Sequence, residues 1–451
     1  MIQPTRETRF LDNETSPHRL PSDTADPALS EPATGLNSSR YALGLLVVVY
    51  FFNNIDRQIM NILVEPIRTD LGLSDSQIGL LVGGAFAIFY TIAGLPIARW
   101  ADRGSRRSII ALSLAAWSAM TVACGLGRNF VHLLIARIGV GVGEAGCTPC
   151  AHSLISDFFK PERRSTAIAT YALGGQLGIL FGLAFGGYIA ERLDWRIAFF
   201  IVGLPGILLA IIVRLTLKEP PRGRYDEGSH TEVESLRKVL AFMWSLPSLC
   251  HMLAGASLQT MAIAAQLTWH ASFLIRIHGM SLTEVGLTLG LVSGVAGGIA
   301  TFGGGALADR LRDRDMRWYL WLPAIGALAS LPFSGVAYLT DSKVLAIAMI
   351  VCATLGNHVF AALGHAVGQS LVKPRMRATM SAIGLLAMNL VGFGLGPQIV
   401  GALSDLFRPQ YGEMSIRYAL LIISALLFAS GLHYFRAAHT YRVDLEAKNR
   451  P

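Results

Sequence analysis

Asp56 and Arg57 stand side by side in 41–67, an apolar run long enough to cross a bilayer and free of other charge until Glu65. A charge at bilayer depth costs about 2.5–3.5 kcal/mol on insertion scales, so two adjacent ones point to an ion or substrate pathway. Arg137 and Glu144 lie seven residues apart in another apolar stretch. That spacing is nearly two helical turns, so both face one side, about 10 Å apart along the axis. The four groups balance in sign, which answers the desolvation problem, and Arg137 and Glu144 can pair with each other or cross-pair with Asp56 and Arg57. A structural salt-bridge network is the competing reading. His358 and His365 repeat the seven-residue spacing without permanent charge. Such histidines serve proton transfer, anion recognition or hydrogen-bonded packing. Asn53, Gln266 and Trp269 are further candidates for contact with a bound group.

The elements that must position these groups are membrane helices. The chain has 451 residues, 52% hydrophobic and 15% charged, well below the charge content of about 25% usual in soluble domains. Windows of roughly 20 apolar residues predict twelve spans: 41–67, 75–100, 107–127, 130–158, 164–190, 195–217, 247–275, 282–308, 317–339, 343–372, 377–404 and 415–436. The expected fold is all-α, with twelve transmembrane helices in two pseudo-symmetric six-helix bundles, 41–217 and 246–440. A disordered cytoplasmic tail is expected over 1–40, which is rich in Pro, Ser, Thr and acidic residues and has no signal-peptide core. Residues 218–245 read as a cytoplasmic linker; Val233, Leu236, Val239, Leu240 and Met243 follow a helical period suited to an amphipathic helix. A short cytoplasmic tail is expected over 441–451.

Twelve spans put both termini on one side. The loops of that side carry most of the loop Lys and Arg, which predicts cytoplasmic termini in a plasma (inner) membrane. The net charge of +8 is spread over many loops, which argues against nucleic acid as a partner. Cys147-x-x-Cys150 lies inside a predicted helix with no second pair, so it reads as small buried residues, and no metal site is expected. No cofactor is expected either. There is no triad, phosphate-binding glycine loop or metal-ligand cluster to support an enzyme.

Two internal echoes stand out. The loop after the second span reads Ala98-Arg-Trp-Ala-Asp102-Arg103-Gly-Ser-Arg106-Arg107, and the loop after the eighth reads Gly305-Ala-Leu-Ala-Asp309-Arg310-Leu-Arg312. The fifth span carries Gly174, Gly178, Gly182 and Gly186, and the eleventh carries Gly392, Gly396, Pro397 and Gly401; small residues on one stripe allow close helix approach. Repeated halves of this kind are a property of secondary transporters.

The two loops resemble the cytoplasmic signature of the major facilitator superfamily, Gly-x-x-x-Asp-Arg followed by basic residues, with Ala98 and Ser105 as departures. The resemblance implies a conformational latch between the halves built on Asp102, Arg103, Arg106, Arg107, Asp309 and Arg310. The glycine run of the fifth span resembles the superfamily's antiporter motif, with Leu183 in place of its proline. Asn53-Asn54-Ile-Asp56-Arg57 together with Arg137-Ile-Gly-Val-Gly-Val-Gly143-Glu144-Ala145 resembles the spinster branch; organic-anion and hexuronate transporters share the second segment. The spinster resemblance implies a monomeric, proton-coupled, alternating-access transporter of an amphiphilic lipid such as a lysophospholipid or sphingosine phosphate. In it Asp56 and Glu144 would carry protons, and Arg57, Arg137, Asn53, His358, His365, Gln266 and Trp269 would be substrate or charge partners. Its partners would be the small amphiphile, protons and membrane lipids. A proton-coupled organic-anion or sugar-acid symporter is the alternative, and an uncoupled lipid scramblase or a membrane receptor is the reading from a different class.

Overall fold

The computed structural model describes residues 36–225 and 235–447, apart from the side chains of 36, 37, 361, 362, 365, 374, 378 and 447. Twelve helical passes run through them: α1 (36–71), α2 (Asp75–Arg103), α3 (Arg106–Gly125), α4 (Phe130–Phe158), α5 (Pro161–Arg192), α6 (Trp195–Thr216), α7 (Pro247–His278), α8 (Leu282–Arg312), α9 (Trp318–Leu339), α10 (343–371), α11 (377–411) and α12 (415–447). Large apolar side chains such as Ile92, Leu95, Leu208 and Leu215 stand exposed on the outer surface, as helices solvated by lipid require.

Several boundaries differ from the expected ones. Residues 1–35 of the expected tail lie outside the described residues, and α1 already begins at Leu36. At the other end α12 runs on as Leu426–Ala447, because Ala437, Ala438 and Tyr441 bury a face against Leu320, Val239 and Met243, and Asp444 Oδ2 accepts from Ser248 N at 2.8 Å. The linker helix is Leu236–Trp244, with Val239 and Met243 buried; Val233 is outside the described residues.

The halves repeat in packing. The first fifth-span glycines press on α1: a Cβ on Gly174 or Gly178 would stand 2.5 Å from the carbonyl oxygen of Val47 or Phe51. In the second half Gly396 presses on α7 in the same way, at the carbonyl oxygen of Met261, while Gly392 lies against the Thr260 side chain. Backbone-to-backbone approach is thus the work of both stripes. The fourth and tenth passes both break in mid-membrane, α4 just after Glu144 and α10 just after His358.

Three buried clusters describe how the halves meet. One contains Ile59, Ile67, Leu274, Val285, Val400 and Ile416, and so runs through both halves on the face opposite the termini. On the terminus side the core divides into one cluster within the first half, around Trp117 and Leu154, and another within the second, around Leu249 and Leu371. The halves are packed together on the far face and separate towards the termini.

Candidate functional site

Consecutive residues of a helix point about 100° apart, and α1 uses that angle to send its two charges to different neighbours. Asp56, 1% exposed, accepts from Trp117 Nε1 of α3 at 2.7 Å, and its other oxygen is buried without a partner among the described residues. Arg57 turns towards the interior, where its Nε donates to Glu144 Oε2 of α4 at 2.6 Å. Its guanidinium lies over the rings of Phe86 and Tyr90, 5.0 and 5.2 Å from their centroids. Arg137 stacks on Phe86, 5.3 Å from its centroid, and donates to Leu81 O at 3.4 Å. The four groups lie together, and of the expected pairings it is the cross-pair Arg57–Glu144 that forms, while Asp56 takes an indole rather than an arginine. Asn53 is buried in α1 with its side chain next to Glu144, whose Oε1 is buried as well.

Arg57 opens onto a cavity of about 350 Å³ between the halves. Asn54, Arg57 and Gln58 form its wall from α1, while Met252, Leu267, Phe360, Met380 and Met388 line it from α7, α10 and α11. Arg57 is its one Lys or Arg among the described lining residues, and 31% of that side chain is accessible. His358 also lines it, with Nδ1 3.0 Å from Thr354 O. Gln266 sits behind this wall in a chain of amides. Trp269 does not reach the cavity: it is fully buried and donates to Pro397 O at 2.9 Å, joining α7 to α11. The side chain of His365 lies outside the described residues.

The far face is closed by groups that the sequence reading did not single out. Arg276 of α7 donates through both terminal nitrogens to Asp75 of α2 at 2.7 Å, and through Nε to Glu65 at 2.9 Å. Asp405, near the end of α11, accepts from Asp75 N and Ser76 N at 3.1 and 2.7 Å, capping the N-terminus of α2. Glu191, at the end of α5, accepts from Thr283 N at 2.6 Å, capping the N-terminus of α8. Both helix starts are built alike, from a left-handed glycine (Gly72, Gly279) followed by a Ser capping box closed by Gln77 or Glu284. The signal was present in the chain as Gly72-Leu-Ser74-Asp-Ser-Gln77-Ile-Gly79 and Gly279-Met-Ser281-Leu-Thr-Glu284-Val-Gly286. The trailing glycines let the halves touch: a Cβ on Gly79 would be 2.7 Å from Pro397 O, and one on Gly286 2.4 Å from Leu183 O.

The residues expected to latch the halves on the terminus side hold contacts within their own halves or with the start of the linker instead. Arg106 pairs with Asp157 and with Glu219, and Ser105 Oγ donates to Glu219 Oε2. Arg107 N reaches the same carboxylate at 3.3 Å. Arg222 donates to the carbonyls of Ala101, Asp102 and Gly104 at the end of α2, where Arg103 is exposed. In the second half Asp309 accepts from Tyr319 at 2.6 Å, and Arg310 is exposed. The reason is the separation of the halves on this side, which removes any cross-partner. Burial opposes the charge of Glu219, and the hydrogen bonds from Ser105, Arg106 and Arg107 outweigh it, holding that carboxyl below its ordinary range.

The chain resembles known proteins over most of its length. The model of the Major Facilitator Superfamily matches residues 46–397. An MFS-type efflux pump of Mycolicibacterium smegmatis is 35% identical over 408 residues, 90% of this chain and 94% of that protein. A probable galactarate/D-glucarate transporter of Bacillus subtilis is 28% identical over 352 residues, covering 72% and 76%. The crystal structure of a bacterial homolog of the human lysosomal transporter spinster, inward-facing and unoccupied, superposes with a TM-score of 0.82 at 32% identity, covering 90% of this chain and 98% of that one.

Proposed function

The chain belongs to the major facilitator superfamily, as a transporter that resembles the spinster branch and not an enzyme, and from that premise we propose that it moves an amphiphilic anion by proton-coupled alternating access. The observation that carries this reading is the cavity itself. A single accessible guanidinium, Arg57, faces a wall of Met252, Leu253, Leu267, Met380, Leu385 and Met388. An acid group on Arg57 with an apolar chain along that wall satisfies both surfaces, because burying the chain is favourable at about 25 cal/mol per Å² and the anion replaces Glu144 as counter-ion.

Asp56 and Glu144 are the proton carriers in this mechanism. A proton on Glu144 cancels its charge and releases Arg57 to the substrate anion. A proton on Asp56 removes a buried charge that faces the Trp117 indole and has no arginine paired to it among the described residues. Either event changes the charge balance of the first half and so biases which face opens. With termini on the cytoplasmic side of the plasma membrane, as the basic loops favour, the separated face is the cytoplasmic one. The working unit is a monomer.

A sugar-acid symporter is the second reading, favoured by the polar groups behind His358. Uptake into proteoliposomes of a lysophospholipid and of galactarate, with and without an imposed pH gradient, separates the two. We expect gradient-dependent movement of the lysolipid and its loss in Asp56→Asn. Gradient-driven uptake that survives Asp56→Asn refutes the proton assignment. Movement indifferent to the gradient in the wild type returns the protein to the scramblase or receptor class.

A further inference from the structure

Behind His358, beside the central cavity, lies a small polar chamber of about 70 Å³, bounded by α5, α7, α8 and α10. Ile179, Ile263, Leu267 and His358 line both spaces, so the two adjoin. Its polar lining is Gln176 of α5, Gln266 and His270 of α7, Ser293 of α8, and Thr354, Asn357 and His358 of α10, and no Asp, Glu, Lys or Arg belongs to it among the described residues.

The hydrogen bonds around Asn357 fix which of its atoms is left without a partner. Ser424 Oγ donates to the helix carbonyl of Leu420 at 2.8 Å, a group that can only accept. Ser424 Oγ therefore accepts from Gln266 Nε2, at 3.1 Å, and Gln266 Oε1 accepts from Asn357 Nδ2, at 3.2 Å. One carbonyl at the end of the relay orients every amide in it. Asn357, 1% exposed, is left with Oδ1 buried and unpartnered, and Gln176 Oε1 is in the same condition. His358 points the same way: Nδ1 lies 3.0 Å from the carbonyl of Thr354 and so carries the proton, which leaves Nε2 of the neutral ring an acceptor. Beside the hydroxyls of Ser293 and Thr354, the chamber wall therefore holds two amide oxygens without a donor among the described residues. A buried acceptor without a donor is costly, and a ligand that brings one recovers that cost.

Resting on the amphiphilic-anion reading above, we propose that this chamber is a hydroxyl-recognition subsite, so that the transported anion carries hydroxyl groups that bond Asn357 Oδ1 and Gln176 Oε1 while its acid group sits on Arg57. The volume holds about two water-sized groups, which fits a diol. A trimethylammonium brings no donor. A primary ammonium brings donors and a charge that no lining carboxylate offsets, and burying an unpaired charge costs more than burying a hydroxyl. The shared chemistry is a polyhydroxylated anion, whether a lysolipid with a phosphoglycerol head or a free hydroxy acid.

The test compares matched pairs in proteoliposome uptake by competition. One pair is oleoyl lysophosphatidylglycerol and its phosphopropanol analogue, equal in charge and chain but without the two head-group hydroxyls. The other is a six-carbon aldaric acid and adipate, the same dicarboxylate without hydroxyls. The hydroxylated member of at least one pair is expected to compete about tenfold better, and that preference is expected to fall to within about twofold in Asn357→Leu. Gln176→Leu, on the half-exposed face of α5, gives the same loss and serves if the Asn357 relay variant does not fold. Preference confined to the aldaric acid pair, with no lysolipid competing, keeps the subsite and refutes the lipid reading. Equal competition within both pairs overturns the subsite, as does a preference that both variants retain. A preference that appears only with added sodium also overturns it, in favour of a cation in the chamber.

Discussion

Replacing Asp405 by Asn tests whether the far face is held shut by carboxylates on helix ends. Asp405 receives two backbone N–H groups of α2, at 3.1 and 2.7 Å, from the opposite half of the molecule. A carboxylate at a helix N-terminus is worth about 0.3–1 kcal/mol, up to about 2 when partly buried, and Asp405 is half-buried. Asparagine keeps one acceptor oxygen and loses the charge. Charge-assisted hydrogen bonds contribute about 1.5–3 kcal/mol against about 0.5–1.5 for neutral ones, so the closed far face loses about 1–2 kcal/mol. That is a shift of about 5- to 30-fold towards the state open on that face, since the contact exists in only one state. The far-face separation is read by electron–electron resonance between spin labels at Arg128→Cys and Val344→Cys, which are exposed on the two halves, in a background without the native cysteines. The long-distance population is expected to grow in Asp405→Asn. Glu191→Gln should act in the same direction and less, because Glu191 is exposed and water screens its contact with Thr283 N. Superimposable distance distributions for wild type and Asp405→Asn refute the reasoning, and so does a larger effect from Glu191→Gln.

Gly187→Val places a Cβ 2.3 Å from Leu282 O, which the closed far face cannot accommodate; the same labels should report an open far face in a protein that remains folded. Trp117→Phe removes the donor to Asp56 and should lower thermal stability by about 1–3 kcal/mol, with most of that cost absent in the Asp56→Asn background; a double-mutant cycle with no coupling rejects the contact. Glu219 supplies a pH dependence with a definite sign. Its carboxyl is held below the ordinary value, so the stabilisation it gives is present above about pH 4.3, the free carboxylate value, and is lost as pH falls through the lower folded value. The melting temperatures of wild type and Glu219→Gln should therefore differ at neutral pH and converge in acid.

How far the chain could be read in advance depends on the range of the physics. Span positions follow from apolar length alone, and α4, at Phe130–Phe158, has the expected bounds. The end of α12 does not, because what keeps 437–447 helical is a face buried against Leu320 and Val239, residues far away in sequence. The charges in α1 were visible as a cost, and cost identifies a functional group without identifying its partner. Asp56 and Arg57 are neighbours in the chain and share no partner in the fold, since a helix turns one towards Trp117 and the other towards Glu144. Trp117 has no mark in sequence that separates it from a lipid-facing tryptophan. Asp405 and Glu191 are harder still: each is an ordinary acidic residue near a helix end, and its meaning lies in a helix start more than ninety positions away. Those starts were legible as a repeated Gly-x-Ser-x-x-Gln/Glu-x-Gly, in which every residue has a local task. The duplication therefore extends past the basic loops to the gate itself. Two copies of one start, each closed by a carboxylate from the other half, give a far face that opens by breaking two equivalent contacts, while the protonatable carboxylates belong to the first half and the acceptor chamber is shared between α5 of the first half and α7, α8 and α10 of the second. In this arrangement the duplication supplies the motion, and the chemistry comes from the positions where the halves diverge: Glu144 and His358, each at the break of its helix.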